Sequence, residues 1–438
     1  MPVDNELPRL PLRLVVTDDL ERSRVTVFFR LLLAIPHIVV VGFWGIAALA
    51  VTFILWLALL FEGKAPRSLQ SFVAGYVRYS VHVSAYVYLA AGPYPPFGGG
   101  SGYPVDLEID LAPQQSRGRV AARLLLAVPA LVIASVLGGG VWFLNGSGYA
   151  SRSSESGYST GATVAGIAVT AALLSWFASV ARGRAPRGLR DLIAYTIGYS
   201  AQVSGYVLLL TDRYPTSDPS RVLPEMSLPP HPVRLELDDP LHRSRLTVFF
   251  RLLLAIPHLF WLALWYVLVL LAVLVAWIAA LVTGRVPVAL HRFIAAFVRY
   301  VTHVLAFLFL IGGPFPGFVG AAGGYPVSLA IDPREPQRRI VTFFRGLLAV
   351  PALLLAGSFF GVAAAVGILG WWAALFTARM PEGLRNLGAV SLRYAGQVYA
   401  YLFLLTDRYA YSAPALHDRK RDEQLELPLE PATGIEPA

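Results

Sequence analysis

A segment reading SRVTVFFRLLLAIPH at Ser23–His37 returns almost unchanged as SRLTVFFRLLLAIPH at Ser244–His258. Weaker copies stand at Arg119–Ala130 (RVAARLLLAVPA) and Ile340–Ala352 (IVTFFRGLLAVPA). Self-similarity of this kind means that one structural unit is used repeatedly, so any fold for the chain must be assembled from four copies. A basic loop follows each copy, GKAPRSL, GRAPRGL, GRVPVAL or ARMPEGL, and then a second apolar helix with a Tyr-rich face. The unit ends sort the copies into two types. Units one and three close with GPYPPF at Gly92 and GPFPGF at Gly313, whereas units two and four close with LLTDRY at Leu209 and Leu404. The order is A, B, A, B. The units are expected at 1–97, 98–219, 220–318 and 319–414, followed by a charged tail, 415–438, expected to be disordered. Unit two carries an extra polar stretch, NGSGYASRSSESGYSTG, at Asn145–Gly161.

The opening helices set the solvent. Apolar runs such as Ile38–Phe61, Leu259–Val282 and Leu347–Phe376 exceed the roughly 20 residues that cross a bilayer as a helix. The chain is 56% apolar and 14% charged, against about 25% charged in soluble domains. A polytopic helical membrane bundle is therefore expected. Met1–Glu21 is polar with mixed charge and lacks the pattern of a removable signal peptide, so the first helix is expected to direct its own insertion. The chain has no cysteine, which excludes disulfides, thiolate metal sites and cysteine nucleophiles. The net charge of +9 comes from arginines beside apolar helices, a placement that points to anionic lipid headgroups and away from nucleic acid.

Each unit opens with a short stretch of period-two alternation: PLRLVVTD from Pro11, YPVDLEID from Tyr103, HPVRLELD from His231 and YPVSLAID from Tyr325. Alternation of this kind reads as strands with one covered and one wet face. Val105, Leu107 and Ile109 share one face, and Asp106, Glu108 and Asp110 the other. Unpaired strand amides are not tolerated in hydrocarbon, so the four strands are expected to join in one small sheet at the membrane surface.

The FFRLLLAIPH opening, the Pro-containing basic loop, the FVRY helix and the YPV strand resemble the domain of unknown function 4389 family, and the resemblance covers nearly the whole chain. It implies a bacterial multi-pass protein of the cytoplasmic membrane and implies no activity. Unit two departs most from the pattern, having an insertion and no Arg at the place in its second helix that Arg78, Arg299 and Arg393 hold in the others.

The first helical stretch of units one, three and four is too long for one upright span, and Pro36, Pro129, Pro257 and Pro351 fall about a third of the way along. An interfacial segment, a bend at the proline and then a true span are expected. Matched units would give eight principal spans. If Val120–Leu144 crossed fully, unit two would have three crossings and the halves would be inverted. The short loops carrying Lys64 and Arg67, and Arg182, Arg184, Arg187 and Arg190, bear on orientation, and the tails and strands are expected on the cytoplasmic side.

Polar residues inside apolar helices are the candidates for function. In the second helices Arg78 with His82, and Arg299 with His303, stand four residues apart on one face, with Arg393 and Gln397 matching them in unit four. The bland alternative is that they clamp the bundle through helix-end carbonyls or strand carboxylates such as Asp110 and Asp332. Arg30, Arg123, Arg251 and Arg345, one per unit, are expected as lipid-interface anchors, with Lys64, Arg67, Arg184 and Arg187 beside the headgroups. His37 with His82, and His258 with His303, raise haem or metal ligation, but their spacing matches no ligand motif, so no cofactor and no metal are expected. GGGSG at Gly98–Gly102 reads as a flexible turn. HExxH, GxSxG and phosphate-loop patterns are lacking. The expectation is a non-enzymatic membrane scaffold or regulator that binds anionic lipid or a membrane partner. The alternative is a transporter or channel with a polar site between repeats.

Overall fold

The computed structural model describes residues 9–138 and 166–416. The Ser-rich stretch of unit two and nearly all of the C-terminal tail lie outside the described residues. Unit one contributes β1 (Leu12–Val16), α1 (Arg24–Phe28), α2 (Arg30–Phe61) and α3 (Arg67–Val87). Unit two contributes β2 (Val105–Ile109), α4 (Arg117–Ala121), α5 (Arg123–Leu137), α6 (Ile167–Arg182), α7 (Arg187–Val207) and α8 (Pro219–Val222). Then come β3 (Val233–Leu237), α9 (Arg245–Phe249), α10 (Arg251–Thr283) and α11 (Val288–Leu308), followed by β4 (Val327–Ile331), α12 (Arg339–Thr377) and α13 (Glu382–Leu402).

In three units the long helical stretch is interrupted earlier than the sequence suggests. The break falls at Phe29, Ala122 and Phe250, seven residues ahead of Pro36, Pro129 and Pro257, which sit inside continuous helix. In unit four α12 runs unbroken through Pro351. Proline removes one amide donor and crowds the preceding turn, and here the helix absorbs that without ending. In unit two α5 and α6 meet at Gly138 and Gly166, whose backbones approach so closely that a Cβ on Gly138 would lie 2.7 Å from the Gly166 Cα. Together α5 and α6 occupy the place of one long helix, so the described part of unit two matches the other units.

Among the described residues four helices are long and apolar enough to cross a membrane: Arg30–Phe61, Arg251–Thr283, Val288–Leu308 and Arg339–Thr377. That is fewer than the eight spans expected. The second helices α3, α7 and α13 fall short because they are rich in polar residues that the fold buries, among them Gln70, Ser80 and His82 of α3.

The reason for that burial is a three-layer arrangement. Each long helix packs along its following inner helix in the opposite sense: Arg30 meets Tyr86, His37 meets Tyr79, and Trp44 lies against Gly75. The inner helix then carries a strand on its other side, β2 on α3, β1 on α7, β4 on α11 and β3 on α13. The long helices keep Leu31, Phe43, Ile46 and Phe53 exposed, as lipid contact requires. On the far side the exposed Arg13 pairs with the exposed Glu108. The molecule thus has an apolar helical face and a polar sheet face.

All four expected strands form, but in two sheets. β1 pairs antiparallel with β2, Leu14 opposite Leu107, and β3 with β4, Leu235 opposite Leu329. A single sheet is prevented because side chains of the inner helices occupy outward-facing backbone groups of the strands. Arg78 Nε donates to the Leu107 carbonyl (2.9 Å), Arg299 Nε to that of Leu329 (3.1 Å), and Gln397 Nε2 to that of Val233 (3.0 Å).

Each A unit is clasped to its B unit reciprocally. Arg24 caps the end of α6 at the Ala181 carbonyl while Arg117 caps the end of α2 at Phe61. Arg245 and Arg339 do the same for α12 at Phe376 and α10 at Val282. Indole donors repeat the exchange, Trp56 to Val120, Trp176 to Val27, Trp277 to Thr342 and Trp371 to Val248. Cations at helix C-termini are favoured by the backbone dipole, so these contacts fasten as well as align. The halves join through α12 packed on α5 and α6, with Thr170 and Ser358 hydroxyls 2.9 Å apart.

Candidate functional site

Two residues past the end of each inner helix stands a leucine in the left-handed region: Leu89 (φ 67°), Leu209 (64°), Leu310 (61°) and Leu404 (65°). That conformation costs a non-glycine residue about 1–2 kcal/mol. All four leucines are buried, and full burial of a leucine side chain is worth roughly 1.5–3 kcal/mol, which explains why glycine is not used. The reversal leaves helix-end carbonyls facing inward, and these create the first polar site.

Arg30, Arg123, Arg251 and Arg345 fill it. Their side chains are buried, so the interface-anchor expectation fails. Arg30 donates to the Ala91 (3.0 Å) and Gly92 (2.8 Å) carbonyls, and Arg251 to Phe307 (2.6 Å) and Gly313 (3.1 Å). Arg123 reaches Tyr206 (3.0 Å) and Thr211 (2.7 Å), and Arg345 reaches Tyr401 and Thr406. Each guanidinium lies over an aromatic ring of the inner helix, Tyr86, Tyr206, Phe307 or Tyr401, at 4.3–4.8 Å. A cation at a helix C-terminus and over a ring face is doubly favoured once water is excluded.

The two unit types differ in what accompanies that arginine. In A units a second buried arginine, Arg22 or Arg243, reaches the same turn and is paired with Asp18 (2.8 Å) or Asp239 (2.5 Å). The same aspartates accept from the Gly92 and Gly313 amides. In B units the place of Arg22 is taken by Gln115 and Gln337, which accept from Arg123 and Arg345 and donate to the Leu209 and Leu404 carbonyls. Their carboxylates, Asp212 and Asp407, come from the LLTDRY motif.

The second polar site is the one the sequence favoured for chemistry. Arg78 and His82 sit on α3 facing β2, where His82 Nε2 lies 2.8 Å from Asp106 Oδ1. Burial of Asp106 would raise its pKa, but the hydrogen bonds from His82 and from the Gly102 and Leu107 amides outweigh it and hold the carboxyl below its ordinary value. Opposite the unit-three helix, Ser328 of β4 stands in place of that aspartate, 3.0 Å from His303 Nε2. Arg393 is fully buried and donates to the Ala413 carbonyl (2.5 Å). Gln397 links the Val233 carbonyl to the Tyr411 amide. In α7 this Arg position is Gly198, where Val222 would touch an added Cβ at 3.0 Å. These residues therefore bind strands and turns of their own unit pair, and Arg78 and Arg299 do not meet.

His37 and His258 also stay apart from His82 and His303. His37 Nδ1 hydrogen-bonds the Tyr79 hydroxyl (2.5 Å) under a stacked Phe97, and His258 repeats this with Tyr300 (2.7 Å) and Phe318. The loop that delivers Phe97 is no simple flexible turn. Gly99 (φ 71°) presses on α3 so that a Cβ would lie 3.0 Å from the Tyr79 amide, and Gly320 (φ 58°) presses harder on α11, 2.0 Å from the Ala296 carbonyl. Lys64, Arg67, Arg184 and Arg187 remain exposed at the ends of the helix layer.

Comparison with known proteins agrees with the repeat. The family described as Domain of unknown function (DUF4389) matches at residues 24–98, 161–217, 245–316 and 339–412. No curated protein and no solved structure matches the chain. With four matches that together span more than half its length, the chain belongs to the DUF4389 family.

Proposed function

We propose that the protein is a non-enzymatic membrane scaffold: a helix layer seated in lipid that presents two polar sheets to a membrane partner, with Lys64, Arg67, Arg184 and Arg187 resting on anionic headgroups. The observation that carries this reading is the division of the arginines. Those inside the apolar layers are consumed by helix-end carbonyls and strand edges, whereas the four basic loop residues are exposed where the apolar helices end. Exposed lysine or arginine next to an anionic leaflet contributes about 1 kcal/mol each. In this reading the membrane is a bacterial cytoplasmic one. A transport path between repeats has less support, because Arg78 and His82 face one sheet and Arg299 and His303 the other.

The test compares the full chain with the variant carrying Lys64→Gln, Arg67→Gln, Arg184→Gln and Arg187→Gln. Both are reconstituted into phosphatidylcholine vesicles with and without phosphatidylglycerol. The anionic lipid that co-purifies with the protein is expected to fall at least several-fold in the variant. Equal enrichment in both would overturn the proposal.

A further inference from the structure

A groove of about 240 Å³ opens on the lipid-facing side between α10 and α12. Leu270, Val273, Leu274 and Trp277 wall it from α10, Leu404 lines it from the end of α13, and Gly346 of α12 stands opposite. The repeat makes Gly346 informative. It follows the clamp arginine directly, and the equivalent residues of the other units are Leu31, Leu124 and Leu252, each about 70% exposed. Only unit four lacks that side chain. Nothing lies within 4 Å of where its Cβ would be, so no neighbour has moved in to close the gap.

We infer that this groove is a binding site for one acyl chain of a membrane lipid. The groove is continuous with the exposed apolar flanks of α10 and α12, two helices long and apolar enough to cross a membrane, and acyl chains are what meet such flanks. Its walls are leucine, valine and an indole whose Nε1 is already donated to the Thr342 carbonyl (2.9 Å), so the indole presents carbon to the groove. Arg345 is the one charged residue of the lining, and both its terminal nitrogens are already bonded, to Tyr401 and Thr406 and to Gln337 and Asp407. A slot of this composition takes a flexible apolar chain and offers little to a polar ligand. The inference rests on the membrane setting of the proposed scaffold but not on its basic loops.

The decisive substitution is Gly346→Leu, a residue that three units already carry at this position. Native mass spectrometry of the full chain after mild delipidation in detergent is expected to show one phospholipid retained per chain in the parent protein and none in Gly346→Leu, with the two unfolding at the same temperature. Retention by both, or by neither, would overturn the inference. So would a similar loss from Leu252→Ala, which alters the unit-three counterpart outside this groove. The four-fold basic-loop variant separates the two proposals: it is expected to keep the tightly held lipid while losing phosphatidylglycerol enrichment, and Gly346→Leu is expected to do the reverse.

Discussion

Asp239→Asn should be among the most damaging single changes in the protein, and adding Arg243→Gln to it should undo much of the damage. The Arg243 guanidinium is buried, and its one carboxylate partner is Asp239 at 2.5 Å. It also donates to the Leu310 and Ile311 carbonyls, both at 3.0 Å. Removing the carboxylate's charge leaves a guanidinium desolvated among carbonyl dipoles, and breaking a buried pair on one side costs about 3–5 kcal/mol. The hydrogen bond from the Gly313 amide to Asp239 survives in part, since asparagine also offers an oxygen, so the expected loss is about 3 kcal/mol. In the double variant the stranded charge is gone. Gln115 shows that an amide at the equivalent position reaches the corresponding carbonyl, that of Leu209 at 2.7 Å. The residual loss should then be near 1 kcal/mol, the net worth of a hydrogen bond. Unfolding free energy in mixed micelles is the measurement. If Asp239→Asn with Arg243→Gln is as unstable as Asp239→Asn alone, the charge argument fails and the loss belongs to shape.

Gly320→Ala should cost at least about 2 kcal/mol, from the left-handed backbone and the contact with the Ala296 carbonyl, while Gly317→Ala, which meets nothing within 4 Å, should leave the melting temperature unchanged. Burial holds the His231 imidazole down to about 4 in the loop before β3, with Arg393 adding to the effect and the Val233 hydrogen bond opposing it. The unfolded chain therefore binds this proton first, so stability is full above about pH 6.5 and falls as the pH drops towards 4, by up to about 3 kcal/mol. A melting-temperature profile that is flat across this window, or the same for His231→Gln, would contradict that assignment. Arg78→Met should speed amide hydrogen exchange across Val105–Ile109 at least tenfold by uncovering the Leu107 carbonyl, with little change in β3 and β4, and uniform exchange in both sheets would show that Arg78 does not guard that edge.

The strands were legible because burial imposes a period of two, and Val105, Leu107 and their neighbours keep to it with carboxylates between. The long helices were legible for a similar reason, since lipid asks only for an unbroken apolar run. The clamp arginines were not. Arg30 near the start of an apolar helix has the same local sequence whether it snorkels to a headgroup or turns inward, and its partners Tyr86, Ala91 and Gly92 lie some sixty residues away. The division into two sheets was hidden too, because it depends on Arg78, Arg299 and Gln397 reaching strand carbonyls from neighbouring helices. The recurrence of a leucine two residues past each second helix was a signal available in the sequence, but its left-handed backbone was not.

The alternation of unit types has a physical cause in the helix-end site. Each inner helix finishes with inward carbonyls that demand a guanidinium, and each of the four helix-end sites also holds one carboxylate paired with an arginine. An A unit draws that carboxylate from the chain entering its long helix, Asp18 or Asp239. Its own helix end is thereby free to run on as GPYPPF or GPFPGF, bringing Phe97 or Phe318 over the histidine. A B unit takes its carboxylate from the chain leaving the inner helix, Asp212 or Asp407. It then needs no aspartate before its long helix, where glutamine serves, and it has no histidine to cover, because Ala130 and Ala352 stand there and accept from Tyr199 and Tyr394. The exit segment is released for another purpose. After Asp212 it continues to Ser217, which crowds Gly383 of unit four, and after Asp407 to Ser412, which crowds Gly188 of unit two. The B units thus spend their exits on joining the halves, and the A units spend theirs on closing the outer flanks. Exchanging GPYPPF for LLTDRY in unit one would supply a second carboxylate where Asp18 already stands and remove the cover of His37, so the two unit types are not interchangeable even though their helices are.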